Sequence, residues 1–135
     1  MNPFLDTYAL IAWLNVRDPD HVRVTAYLDA FDGVLICTEW VLMELADAFC
    51  EPPAKEIATR FLRKVRNDPL FEIVPYDMEV FDAGFGLYSS RSDKGWSLTD
   101  CISFAVMAER GLTEALTADH HFEQAGFHAV FRKAS

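Results

Sequence analysis

The sequence has no apolar run near the roughly 20 residues that a helix needs to cross a bilayer. It also has no basic segment at its start of the kind that opens a secretory leader; Asp6 stands there instead. A cytoplasmic protein with no membrane association is therefore expected. Cysteine is scarce: Cys37, Cys50 and Cys101 are odd in number and form no C-x-x-C pair. That argues against a disulfide framework, and all three read as small core hydrophobes. Positive charge is short as well, with 12 Lys and Arg against 21 Asp and Glu and a net charge of -9. Nonspecific grip on nucleic acid depends on basic side chains displacing counterions from phosphates. Nucleic-acid chemistry here would need metals or a local basic patch. There is no internal repeat, low-complexity tract or interdomain linker.

What is present is the composition of a globular protein, 51% hydrophobic and 24% charged over 135 residues. That length suits one domain, residues 1–135, with a real core. Short apolar runs at Pro3 to Leu5, Val34 to Cys37, Phe71 to Val74, Ala115 to Thr117 and His128 to Phe131 lack polar alternation. They read as strands buried on both faces. Helical patterns fill the gaps, from Thr7 to Asn15, Asp20 to Phe31, Glu39 to Phe49, Pro53 to Asn67, Asp77 to Ser89, Leu98 to Arg110 and His120 to Ala125. Proline is tolerated in a first turn, so Pro53 suits a helix start, while Gly111 and Gly126 suit C-terminal caps. Strand then helix, repeated, implies an α/β fold with a parallel sheet between helices.

Ligands of such sheets bind at the carboxyl ends of the strands, beside the point where strand order reverses. Asp6 follows the first strand in FLDTYALIAWL, and Asp119 sits two residues past the fourth in ALTADHHF. Each also suits the cap of the next helix. Glu44 lies in TEWVLMELADAF, where apolar residues leave little of the helix polar. A carboxylate there is costly unless it binds a cation or a donor, although Asp47 on the same side leaves a solvated acidic stripe open. Asp100 opens the apolar helix of GWSLTDCISFAVM three residues after Ser97, the spacing of a capping box.

FLDT, the packing around Glu44, DKGWSLTDCISFAVM and LTADHHFEQAGF together resemble the PIN domain, closest to VapC-type toxins, and the resemblance spans the chain. It implies a three-layer α/β/α fold with a five-stranded parallel sheet of order 3-2-1-4-5, so that Asp6 and Asp119 converge at the reversal. It implies a catalytic, metal-binding set of Asp6, Glu44, Asp100 and Asp119. It further implies an endoribonuclease, the toxin of a toxin–antitoxin pair, whose partners are RNA (tRNA or rRNA), a cognate antitoxin and a second copy of itself. Four carboxylates in one cleft repel one another unless a cation neutralises them, and all-oxygen ligands select Mg2+ or Mn2+. In this reading Asp100 faces the metal cleft while Ile102, Phe104, Ala105, Val106 and Met107 anchor its helix. Thr7, Thr99 and Thr117 adjoin the acids and suit the orientation of ligands or metal waters.

Arg60, Arg63 and Lys64 on one helix, and Arg91 and Lys94 in the polar loop SSRSDKGW, are the candidates for phosphate contacts. A solvated charged face explains the helix as well. His120 and His121 are neighbours in sequence, expected to point apart and to take surface roles. Trp13, Trp40 and Trp96 suit either base stacking or the core. Trp13, Tyr27, Phe31 and Phe49 exceed what one small core needs, which points to an interaction patch unless all four are core. A receiver-like signalling domain would need a late-strand lysine that is missing. A haloacid-dehalogenase-type phosphotransferase would need an acid where Tyr8 stands. A catalytically silent RNA-binding or assembly module is the remaining alternative.

Overall fold

Strands this short and this apolar need a sheet covered by helices, and the protein forms one. The computed structural model describes residues 2–133. Met1, Ala134 and Ser135, at the ends of the expected single unit, lie outside the described residues. The strands are β1 (Phe4–Leu5), β2 (Leu35–Thr38), β3 (Phe71–Val74), β4 (Glu114–Leu116) and β5 (His128–Ala129). All pair in parallel, in the order β3-β2-β1-β4-β5.

Every residue of β1 and β2 is buried, and because successive side chains point to opposite faces, both faces of these strands are covered. The expectation of two buried faces fails for β3, where Glu72 is exposed and ion-paired to Arg110. The reason is position: β3 is an edge strand, so one flank and part of a face meet water.

The helices are α1 (Thr7–Leu14), α2 (His21–Ala30), α3 (Glu39–Ala48), α4 (Ala54–Lys64), α5 (Met78–Ser90), α6 (Leu98–Arg110) and α7 (His120–Gln124), with a 3-10 turn at Val65–Asn67. Right-handed crossovers send the β1-to-β2 and β2-to-β3 connections to one face and the β4-to-β5 connection to the other. The packing follows the same division, α1 against α2 and α3 against α1 and α4, then α6 against α5 and α7. Gly111 ends α6 in the left-handed region at φ 67°, a conformation that suits glycine.

The contact between α5 and α6 depends on Gly84. A Cβ there would stand 2.4 Å from Ile102 Cγ1 and 2.7 Å from Ile102 Cα. The glycine therefore lets the two backbones meet, which fixes α6 and with it Asp100. On the other side of α6, Phe104 meets Trp96 edge-on at 5.2 Å and Phe122 at 4.9 Å, tying α7 to the same core.

Two expectations about apolar residues change. Cys37 and Cys101 are buried, but Cys50 is exposed, just past the end of α3. Of the four aromatic residues expected as an interaction patch, Trp13, Tyr27 and Phe31 are half-buried and packed against the core. Phe49 is buried, Trp13 packs on Phe61 and Phe71 at 5.9 and 6.1 Å, and Tyr27 packs on Phe31 and Phe131 at 6.1 and 5.5 Å. The exposed apolar side chains include Val16, Val22 and Met43 and, on α5, Met78, Phe85 and Tyr88, these last by 72%, 49% and 48%.

Candidate functional site

Four elements deliver one carboxylate each to the carboxyl edge of the sheet, beside the β1–β4 pair where strand order turns back. Asp6 is the residue between β1 and α1 and occupies the N-cap position of α1, yet its side chain does not cap the helix. Its carboxylate accepts a hydrogen bond from the Thr117 hydroxyl at 2.7 Å. The same Thr117 oxygen accepts from the Asp119 N–H at 3.1 Å, so one buried hydroxyl holds the ends of both strands together. Asp119 does cap: its Oδ1 accepts from the His121 N–H at 2.9 Å. Glu44 projects from the middle of α3 and accepts from the Thr7 hydroxyl at 2.5 Å. Asp100 stands in the first turn of α6, where its N–H donates to the Ser97 hydroxyl at 3.0 Å, the cap that the S-x-x-D spacing predicts.

Burial and mutual repulsion raise the proton affinities of two of these acids. Asp6 is pushed up from 3.8 to about 7, first by desolvation, with the Thr117 bond holding it back and Asp100 and Glu44 adding repulsion. Asp100 is pushed up from 3.8 to about 6, again first by burial, then by the charges of Asp119 and Glu44, with Ser97 and His121 opposing. All four carboxylates therefore share one electrostatic environment. They do not share one tight coordination shell. Among the described residues, the only group of three or more His, Cys, Asp and Glu donors with all ligand atoms within 4.8 Å of one another is Asp119, His120 and His121.

That group corrects the expectation that the two histidines point apart. Their ring centroids are 4.2 Å from each other, because both residues sit in the first turn of α7 and both rings fold back toward its capping acid. His121 Nδ1 lies 3.1 Å from Asp119 Oδ1 and 3.8 Å from Asp100 Oδ2. Sequence reasoning assigned His121 to the surface; the signal that could have found it is its place directly after a strand-end acid.

The threonines divide. Thr7 and Thr117 hold Glu44 and Asp6 as described, whereas Thr99 uses its carbonyl to accept from Ser103 and, among the described residues, its side chain has no hydrogen bond to an acid. The basic candidates divide too. Arg60 pairs with Glu56 at 2.8 Å, and with Lys64 it lines a groove of about 340 Å³ beside Trp13, Phe61 and Phe71 that none of the four acids borders. Arg63 is exposed on the same helix. Arg91 pairs with Asp93 at 3.0 Å and lies 5.2 Å over the Trp96 ring. The loop holding Arg91 and Lys94 reaches the cleft at Gly95, where a Cβ would be 3.9 Å from His121 Nε2. Trp96 itself is buried and donates to Gln124 Oε1 at 3.0 Å. Trp40 packs edge-on to Tyr76 at 5.0 Å. With Trp13 on Phe61 and Phe71, all three tryptophans thus have partners within the chain.

A five-stranded parallel sheet of order 3-2-1-4-5, flanked by helices and bearing acids where its strand order turns back, defines a PIN-like α/β/α architecture. The chain belongs to the PIN domain family, whose model matches residues 4–128. Among solved structures, VapC20 from Mycobacterium tuberculosis, a toxin that cleaves the sarcin–ricin loop, is 21% identical with a TM-score of 0.87, covering 96% of this chain and 98% of its own. FitAcB from Neisseria gonorrhoeae is 21% identical with a TM-score of 0.65, covering 95% of each chain. DNA-bound VapBC from Salmonella typhimurium is 19% identical with a TM-score of 0.64, covering 96% of this chain and 97% of its own. None of the curated proteins matches the sequence. Among the described residues, no helix is long and apolar enough to cross a membrane.

Proposed function

We propose that this chain acts as a single domain, a divalent-metal-dependent endoribonuclease and the toxin of a toxin–antitoxin pair. The observation that carries the reading is the convergence of four carboxylates from four separate elements, two of them with raised proton affinity. Groups that bury negative charge against negative charge need a cation to stay ionised near neutral pH, and oxygen donors suit Mg2+ or Mn2+. Asp6, Glu44, Asp100 and Asp119 would hold that ion. When bound, it supplies charge neutralisation, a more acidic water and stabilisation of the departing 3' oxygen.

The chain's own residues do the rest. Thr117 fixes the Asp6 carboxylate and Thr7 fixes Glu44, so neither acid has to be ordered when RNA arrives. The Ser97 cap and the Gly84 contact hold Asp100 on a rigid helix. Arg91 and Lys94, in the loop that abuts the cleft at Gly95, are placed to meet RNA phosphates; Arg60, Arg63 and Lys64 have no such proximity in their support. A net charge of -9 leaves cleft shape and these local charges to select the substrate. Structured RNA with an exposed single-stranded site fits that economy of positive charge.

An antitoxin partner is supported by the solved complexes of VapBC and FitAB among the structural neighbours. Self-association is supported by the exposed Met78, Phe85 and Tyr88 of α5. A cytoplasmic site of action follows from the proposed RNA target.

The test is cleavage by the purified chain with Mg2+ or Mn2+, starting with a sarcin–ricin loop oligonucleotide because of the likeness to VapC20, then total RNA. Cleavage that leaves 5' phosphate ends, stops with chelator and is lost in Asp100→Asn supports the reading. Cleavage that persists in chelator, or at an undiminished rate in Asp100→Asn, overturns the site. Binding without cleavage under every metal leaves the silent RNA-binding module in its place.

A further inference from the structure

Among the described residues, the close set of potential metal donors formed by Asp119, His120 and His121 includes nitrogen as well as oxygen. His121 Nδ1 lies 3.1 Å from Asp119 Oδ1 and 3.8 Å from Asp100 Oδ2, and His120 Nδ1 lies 3.7 Å from the same Asp119 oxygen. Two adjacent ligands about 2.1 Å from one octahedral ion stand about 3 Å apart; the pair at 3.1 Å matches that separation, and the pairs at 3.7 and 3.8 Å would have to close toward it. His121 Nδ1 is also buried and has no hydrogen-bond partner despite its nearness to two carboxylates. A buried polar atom in that condition is costly. A cation shared by the ring nitrogen and the two acids removes the cost for all three. His120 is half exposed at 52%, so its ring is free to turn toward the same ion.

We propose that His121, assisted by His120, is an imidazole ligand to the divalent ion held by Asp119 and Asp100, and that this nitrogen makes the centre select Mn2+ or a later transition metal over Mg2+. The inference rests on the metal-nuclease reading above and specifies what that reading leaves open, the identity of the ion. The chemistry is that of donor softness: Mg2+ takes oxygen ligands and keeps its waters, whereas imidazole suits first-row transition ions. An all-carboxylate cleft discriminates little between Mg2+ and Mn2+. A cleft with one or two ring nitrogens discriminates by at least about tenfold.

The experiment uses the full chain, without RNA and without an activity readout. Mn2+ and Mg2+ are titrated separately by calorimetry into the parent, His121→Ala, His120→Ala and Asp6→Asn. Pulsed electron paramagnetic resonance of the Mn2+-loaded parent then reads nitrogen hyperfine coupling directly. The expected result is nitrogen coupling in the parent, reduced or lost in His121→Ala, with Mn2+ affinity falling about tenfold and Mg2+ affinity changing by less than about twofold. The coupling measurement needs no substitution, so a variant that fails to fold does not rescue the proposal. Mn2+ bound without nitrogen coupling overturns the imidazole assignment and leaves the carboxylate site standing, the more so if Asp6→Asn weakens binding. Equal loss of both ions in His121→Ala also overturns it. A parent that binds neither ion overturns this proposal and the metal-nuclease reading together.

Discussion

Replacing Asp6 with asparagine should stabilise the metal-free protein above neutral pH while abolishing the proposed function. The side chain is 6% exposed, and its pKa stands at about 7 in the fold against an ordinary 3.8. Between those values the folded state binds more protons than the unfolded state, so stability falls as pH rises from about 4 through about 7. At about 1.4 kcal/mol for each pH unit, the climb from 3.8 to about 7 sets a ceiling of about 4 kcal/mol on the penalty of the ionised group. Asparagine is close in shape and keeps an oxygen for the Thr117 hydroxyl. It carries no charge to be desolvated or repelled by Asp100 and Glu44, so a net gain of about 2 kcal/mol or more is expected at about pH 8. In a chain of 135 residues that corresponds to about 8 °C in Tm. The assay is urea and thermal unfolding with chelator at about pH 5 and about pH 8. The gain should be smaller by about 2 kcal/mol or more at the lower pH, because most of the penalty accumulates between about pH 5 and about pH 7. Mg2+ or Mn2+ should stabilise the parent at the higher pH and have a much smaller effect on the variant, because binding favours the ionised carboxylate. A variant no more stable than the parent at about pH 8, or equally stabilised at both pH values, would refute the claim that Asp6 is held against its charge.

Gly84→Ala should destabilise by about 3 kcal/mol or more, since the new methyl meets Ile102 backbone atoms that cannot rotate away; a urea midpoint within about 0.5 kcal/mol of the parent would show that α5 and α6 are not held as described. Ser97→Ala removes the α6 cap and should cost about 1 kcal/mol, and hydrogen exchange should show faster opening confined to the first turn of α6. Arg91→Glu with Lys94→Glu should slow cleavage of the target RNA while leaving stability within about 0.5 kcal/mol, because both lie in a loop; unchanged rates at low and physiological salt would remove the loop from the RNA-contact surface.

The positions of the acids were legible because they depend on local rules. A strand of this length ends where its apolar run ends, so Asp6 and Asp119 fall at carboxyl ends whatever the rest of the chain does. Ser97 and Asp100 carry their helix start in their spacing. Parallel pairing followed from the repeated strand-then-helix order, and the sheet order from the likeness to PIN domains. Boundaries drifted by a residue or more where fraying decides them, as at β5, where the pattern ran to Phe131 and the strand stops at Ala129.

What the sequence could not supply is which faces meet. Phe81, Phe85 and Tyr88 have the spacing of a buried stripe, yet Phe85 and Tyr88 are exposed while Gly84 is the buried residue of α5. Trp13 and Tyr27 read from sequence as surplus apolar surface, whereas Phe61, Phe71 and Phe131, distant in sequence, pack against one side of them. Arg60 and Lys64 stood beside Arg91 among the phosphate candidates, with a solvated charged face as the stronger reading of their helix; they border a groove that the acids do not share, while the 91–95 loop comes up against His121. Helical periodicity fixes the direction of a side chain relative to its own axis. Its neighbours are set by long-range packing between helices, and that is why His121, read from sequence as a surface residue, stands between Asp119 and Asp100.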